Sequence, residues 1–169
     1  PNDQSMSLEE EVLRRLRPKA VTVRRLEEAV GKLQRLTGVS ISRTGLDLKT
    51  MLVGSVAKGT YVGEPDIDLF VLFPESVERT DLEKIGLRIG QEVLGGETRY
   101  AEHPYTHGQI GGFEVDLVPC YEVQDASKIR SAVDRTPFHT RFVLSSLDQR
   151  RRDQVLLLKQ FMKGVGVYG

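Results

Sequence analysis

Residues 54–73 read Gly54-Ser55-Val56-Ala57-Lys58-Gly59-Thr60-Tyr61-Val62-Gly63-Glu64-Pro65-Asp66-Ile67-Asp68-Leu69-Phe70-Val71-Leu72-Phe73. The first seven residues form a small-residue turn carrying one hydroxyl and one cation. The last eight are predicted to be a strand in which two carboxylates, one residue apart, open an apolar run. On a strand, residues i and i+2 share a face, so Asp66 and Asp68 point the same way. Side by side and partly desolvated, two like charges are costly without a counter-charge. A divalent cation resolves the conflict, and an oxygen-only ligand set suits a hard ion such as Mg²⁺ that also takes phosphate oxygens. The turn supplies N–H groups, the Ser55 hydroxyl and Lys58 as a point charge, all suited to phosphate. The stretch is expected to hold a metal–nucleotide complex.

Working outward, residues 8–17 are predicted to be a helix ended by Pro18. A second helix is expected over 23–36, with Thr22 as N-cap, an apolar stripe of Val23, Leu26, Val30 and Leu33, and Gly38 closing it. Residues 39–47 are expected to be loop, and 48–53 a short strand leading to Gly54. Past Pro74, Thr80 and Glu83 suggest a capping box that opens a helix reaching about Leu94, where Gly95-Gly96 stops it. Strands are expected over 98–102, 105–110 and 113–118, the last two joined by a Gly111-Gly112 hairpin turn and the last ended by Pro119. Alternation in 113–118 sets Phe113, Val115 and Leu117 against Glu114, Asp116 and Val118. Asp116 is the natural third carboxylate, and Glu114 on the same face is its rival. Helices are expected over 127–134, briefly after Pro137-Phe138, and over 148–163. The order predicts an α+β fold, a mixed and mostly antiparallel sheet of about five strands with helices on one face. No Walker A or G-x-G-x-x-G pattern is present.

The 169 residues carry 24 basic and 24 acidic side chains, but unevenly. Residues 1–63 hold 11 basic and 7 acidic, 64–126 hold 4 and 14, and 127–169 hold 9 and 3. An acidic centre suits a cation, and a basic C-terminal section suits phosphates. The single cysteine, Cys120, excludes an internal disulfide and is expected to be a small core residue in a reducing, cytoplasmic setting. No membrane span or secretory pattern is read. His103 and His107 are expected to be structural or surface residues.

Gly-Ser, a short gap and Asp-x-Asp on the next strand resemble the polymerase-β-like nucleotidyltransferases, which use a third carboxylate on a neighbouring strand. Three further stretches sharpen this: Arg99-Tyr-Ala-Glu-His-Pro-Tyr105, Glu114-Val-Asp-Leu-Val-Pro-Cys-Tyr121 and Ser131-Ala-Val-Asp-Arg-Thr-Pro-Phe-His139. With them the chain resembles the archaeal-type (class I) CCA-adding enzymes from about residue 54 to residue 169. The resemblance implies Mg²⁺-dependent, template-independent transfer of CMP and AMP from CTP and ATP to the 3′ end of tRNA, with two metal ions. It implies Asp66, Asp68 and Asp116 as catalytic, metal-holding carboxylates, and Gly54, Ser55, Lys58, Thr136, His139, Lys159 and Tyr168 as nucleotide-binding positions. The family often has Arg at the Lys58 position, so the bidentate fork is lost here. It also implies residues 1–145 as a catalytic head and 146–169 as a helix leading to a following domain, the head alone being poorly active. A homodimer is one assembly it allows for the full-length protein. The alternatives are a minimal nucleotidyltransferase acting on a small-molecule or protein hydroxyl, and a non-catalytic nucleotide- or RNA-binding module.

Overall fold

The structure is a computed structural model of the chain, describing residues 7–101 and 103–122, with the Lys58 side chain excepted. The helices expected after residue 122 lie outside the described residues.

Helix α1 (Leu8–Leu16) opens on a full capping box: the Ser7 hydroxyl accepts from the Glu10 N–H and the Glu10 carboxylate accepts from the Ser7 N–H. It stops at Arg17, whose extended backbone (ψ 137°) is what a following proline demands. Helix α2 (Ala20–Ser42) is longer than predicted at both ends. It begins after Lys19, with no cap from Thr22, and runs through Gly38 into the expected loop. The inward stripe Leu26, Ala29, Leu33 continues as Thr37 and Ser40, both buried. Their hydroxyls are satisfied locally and across the core, Thr37 donating to the Leu33 carbonyl at 2.7 Å and Ser40 to Glu92 at 2.6 Å. Those partners carry the helix past a glycine that costs about 1 kcal/mol of propensity.

The sheet order is β1-β2-β5-β4-β3, built from β1 (Lys49–Val53), β2 (Ile67–Phe73), β3 (Glu97–Tyr100), β4 (Pro104–Ile110) and β5 (Phe113–Tyr121). Only β2 and β5 pair in parallel, so the sheet is mixed and mostly antiparallel as expected. Between β1 and β2 the Gly54-Ser55 stretch is not an open turn but a short helix, α3 (Gly54–Lys58), closed by Gly59 in the left-handed conformation. Helix α4 (Arg79–Leu94) bridges β2 to β3. The Thr80–Glu83 capping box does not form: Glu78 is the N-cap without a side-chain bond, and Glu83 turns to Arg79 at 3.3 Å.

Helices α2 and α4 cover one face. Ile67, Leu69, Val71 and Phe73 of β2 and Val115 and Leu117 of β5 are fully excluded from solvent there, beside Leu33, Leu82 and Ile89. The opposite face is divided. One end carries a small apolar cluster of Val53, Phe70, Leu72 and Cys120, and the other carries the carboxylates.

Strand β5 does not end at Pro119; it runs on to Tyr121 alongside β2. Ile110 and Phe113 flank a two-residue turn and exchange backbone bonds, so the N–H of each odd-numbered β5 residue faces β4. Pairing with β4 stops at the Thr106–Leu117 pair, so the N–H that proline lacks takes nothing from the ladder. The Pro119 ring is buried against Gly86 of α4, where a Cβ would overlap it. Gly86→Ala is therefore expected to push α4 off the sheet and destabilise the chain by about 1–3 kcal/mol, read as a lower urea midpoint with an unchanged slope.

Candidate active site

Asp68 lies one residue inside β2. Its Cα partner on β1 is Val53 and its partner on β5 is Asp116. Asp116 in turn pairs with His107 of β4, and His107 with Glu97 of β3. Registered neighbours share a face, so Val53, Asp68, Asp116, His107 and Glu97 form one row across all five strands, on the side away from α2 and α4. Asp66, expected as the first residue of β2, stands exposed just before it, near enough for its charge to act on Asp68. Of the two rivals, Asp116 is in register with Asp68, while Glu114 is half exposed and in contact with Gln109 and His107.

Burial pushes the Asp68 carboxyl up to about 6, with the negative charges of Asp116 and then Asp66 adding to it. The three side chains are neighbours and not yet a closed cage: among the described residues no group of three or more His, Cys, Asp and Glu converges closely enough to hold an ion. Their chemistry nevertheless fits one. The donors are all oxygens, they carry like charge, and the most buried of them is held against its ionisation until a cation relieves it.

Gly54 has a role that the sequence did not reveal. Its φ is +70°, and a Cβ there would lie 2.7 Å from Asp68 Oδ2. The glycine is thus required twice, for its backbone and for the space that the carboxylate occupies. Ser55 follows in the first turn of α3, where its carbonyl accepts from the Thr60 N–H at 3.0 Å. Lys58 closes α3, and Gly54, Ser55 and Asp68 are brought together at the junction of β1, α3 and β2. Thr136, His139, Lys159 and Tyr168 lie outside the described residues.

His107 is the site residue that sequence reasoning passed over. Its Nδ1 lies 2.6 Å from Asp116 Oδ1 and its Nε2 2.6 Å from Glu114 Oε2. A carboxylate on each side of the ring favours its protonated form. Its pKa is raised accordingly, first by the Asp116 bond. Glu114 is lowered, first by the amide of Gln109 and then by His107. The signal was present: four residues out on each side of the Gly111-Gly112 turn land on His107 and Asp116. His103 is structural as expected, buried and beside Arg79 and Glu83. Cys120 is a buried core thiol, also as expected.

A mixed five-stranded sheet backed by two helices, with paired aspartates on adjacent strands and a small-residue helix beside them, defines a polymerase-β-like nucleotidyltransferase fold. The family model "Nucleotidyltransferase domain" matches residues 23–139, and the chain belongs to that family. Its relatives include the CCA-adding enzyme of Methanothermobacter thermautotrophicus, 47% identical over 164 residues, covering 94% of this chain and 36% of that protein. The CCA-adding enzyme of Haloarcula marismortui is 49% identical over 132 residues, covering 77% of this chain and 28% of that one. The chain thus spans about a third of the length of the curated relatives it matches. Among solved structures, the Cid1 poly(U) polymerase with MgGTP bound superposes with a TM-score of 0.63 at 19% identity, over 90% of this chain and 46% of that one, a likeness of fold. Nucleotidyltransferases of this superfamily generally use divalent metal ions.

Two outcomes follow for the site. The folded-state pKa of Asp68 stands above its unfolded value, so the folded chain holds an extra proton between about pH 4 and the folded pKa of about 6. Its contribution to stability falls as pH rises through that window, and the ionised carboxylate destabilises the fold above it. In EDTA, Asp68→Asn is expected to exceed the parent by about 1–2 kcal/mol at pH 8, allowing for solvent screening, and to match it near pH 4, measured by urea unfolding. Gly54→Ala is expected to lose about 1–2 kcal/mol from the left-handed backbone alone and to displace Asp68, so that metal-dependent nucleotide binding falls by more than the stability loss explains, as read by calorimetry above the unfolding transition's baseline.

Proposed function

We propose that this chain is the catalytic head of a CCA-adding tRNA nucleotidyltransferase, transferring CMP and AMP from CTP and ATP to the tRNA 3′ end without a template. The observation that carries this is the registered Asp68–Asp116 pair, with Asp66 beside it, in a chain of the nucleotidyltransferase family. The identity to archaeal CCA-adding enzymes across most of the chain supports that substrate class over a small-molecule or protein hydroxyl. Three neighbouring carboxylates also disfavour a purely binding module, which has no use for so costly a cluster.

Asp66, Asp68 and Asp116 would hold Mg²⁺ in a two-ion arrangement. Bound there, Mg²⁺ supplies positive charge that acidifies the attacking hydroxyl and steadies the leaving pyrophosphate. Asp116, at the centre of the sheet, lies next to the tRNA 3′ hydroxyl. The oxygen of that hydroxyl bonds to the α-phosphorus as the bond to the β-phosphate oxygen breaks. Gly54 makes room for Asp68, and Ser55, Lys58 and Lys159 offset charge building on the triphosphate. Thr136, His139 and Tyr168 contact the nucleotide's sugar or phosphates. On this reading the catalytic head spans residues 1–145. The protein acts in the cytoplasm, and no helix among the described residues is long and apolar enough to cross a membrane. A homodimer of the full-length protein is consistent with this assignment.

Calorimetry of the chain with ATP and CTP, with and without Mg²⁺, tests the site. Binding is expected to depend on Mg²⁺ and to be lost in Asp66→Asn/Asp68→Asn, while CCA addition by the chain alone stays weak. Unchanged binding in the double variant would remove the metal–nucleotide assignment, and robust CCA addition by these 169 residues would remove the head-domain one.

A further inference from the structure

A line of polar contacts runs behind the aspartates and takes no part in the chemistry above. Gln109 Nε2 donates to Glu114 Oε1 at 2.7 Å. Glu114 Oε2 lies 2.6 Å from His107 Nε2, and Asp116 Oδ1 lies 2.6 Å from His107 Nδ1. All four residues belong to one hairpin, β4–β5, whose two-residue turn fixes the His107–Asp116 register. The His107 side chain is largely buried, at 18% exposure, whereas Glu114 is 44% exposed. The contacts therefore lead from a solvated carboxylate inward to the central strand.

An aspartate set directly opposite another aspartate has every electrostatic reason to rotate away from it. The core sets the backbone register, and a donor on the far side holds the Asp116 carboxylate against that rotation. His107 is that donor, and Glu114 fixes the plane of the ring by engaging the other nitrogen. We propose that His107 is a positioning residue: it holds Asp116 Oδ1 so that the other carboxylate oxygen, Oδ2, is the one offered to a divalent cation shared with Asp68. Glu114 and Gln109 aim the ring and touch neither cation nor nucleotide. This assignment rests on the metal–nucleotide role proposed above for the three aspartates.

The two ring nitrogens can be separated by substitution. An asparagine amide nitrogen falls near the position of Nδ1, and a glutamine amide nitrogen near that of Nε2. His107→Asn thus keeps the donor to Asp116, while His107→Gln keeps the contact to Glu114 and loses Asp116. The measurement is calorimetric binding of Mn²⁺–ATP to the 169-residue chain, with ATP in EDTA as baseline, the ratio of the two affinities being the metal-dependent gain. Partners that orient metal ligands typically carry 10–100-fold in metal affinity, so His107→Gln is expected to cut the gain by about tenfold or more and His107→Asn by no more than about threefold. ATP binding in EDTA and the thermal midpoint should be similar for both variants, which a merely structural role for His107 does not predict. Should either variant fail to fold, Glu114→Ala decides, since it leaves His107 and Asp116 in place and is expected to lower the gain severalfold.

A gain that is lost in Asp68→Asn but unmoved in His107→Gln, or reduced equally by Asn and Gln, overturns the positioning role and leaves the aspartate site standing. A parent chain with no metal-dependent gain overturns the aspartate site, and this role with it.

Discussion

Two aspartates face each other across the parallel pair β2 and β5, and most of the structure can be understood from how that pairing is held. Side chains directly opposite on adjacent strands have Cβ atoms about 5 Å apart, so Asp68 and Asp116 repel, and burial raises the cost for Asp68. The penalty is of the order of 1–2 kcal/mol. Against it stands the other face of the same two strands, where Ile67, Leu69, Val71, Phe73, Val115 and Leu117 are fully buried. Each such side chain contributes about 1.5–3 kcal/mol on leaving water, so the core decides the register and the carboxylates are carried with it. The fold thus holds two charges where neither would settle by itself.

The supporting elements act on the same pair. Helix α4 packs close to the sheet because Gly86 and Gly90 present no side chain to Pro119 and Thr106. Gly54 yields space on the β1 side of Asp68, and His107 engages Asp116 from the β4 side. The aspartate pair is therefore flanked on one side by a missing side chain and on the other by an imidazole. This is an environment prepared for added positive charge between the aspartates, consistent with a nucleotidyltransferase that works through a divalent ion and a triphosphate.

Several elements could be read from residue patterns alone. The apolar run 67–73 and the Gly111-Gly112 turn each encode structure through neighbours only a few positions away. Failures came where a distant partner overrode the local signal. Gly38 does not end α2 because Ser40, beyond it, is bonded to Glu92 of α4. Thr80 is a local exception: α4 already begins at Arg79 with Glu78 as N-cap, and Glu83 engages Arg79 four residues before it. Pro119 does not stop β5 because β4 no longer pairs with the strand at that point and the ring packs on Gly86.

By itself the sequence nominated the three aspartates as candidates for the chemistry. The i, i+2 spacing of Asp66 and Asp68 and the alternation that sets Asp116 apart from Val115 and Leu117 are covenants of strand geometry, independent of what lies next to the strand. The hairpin likewise contained the His107–Asp116 pairing, since a two-residue turn fixes register by counting. What only the tertiary structure decided is the parallel pairing that aligns Asp68 with Asp116. Parallel strands have no tight turn to set their register; here α4, β3 and β4 intervene, and the alignment comes from packing both strands on one core. For the same reason Asp116 could not be set opposite Asp68, nor Gly54 seen to make room for a carboxylate, until the strands were side by side.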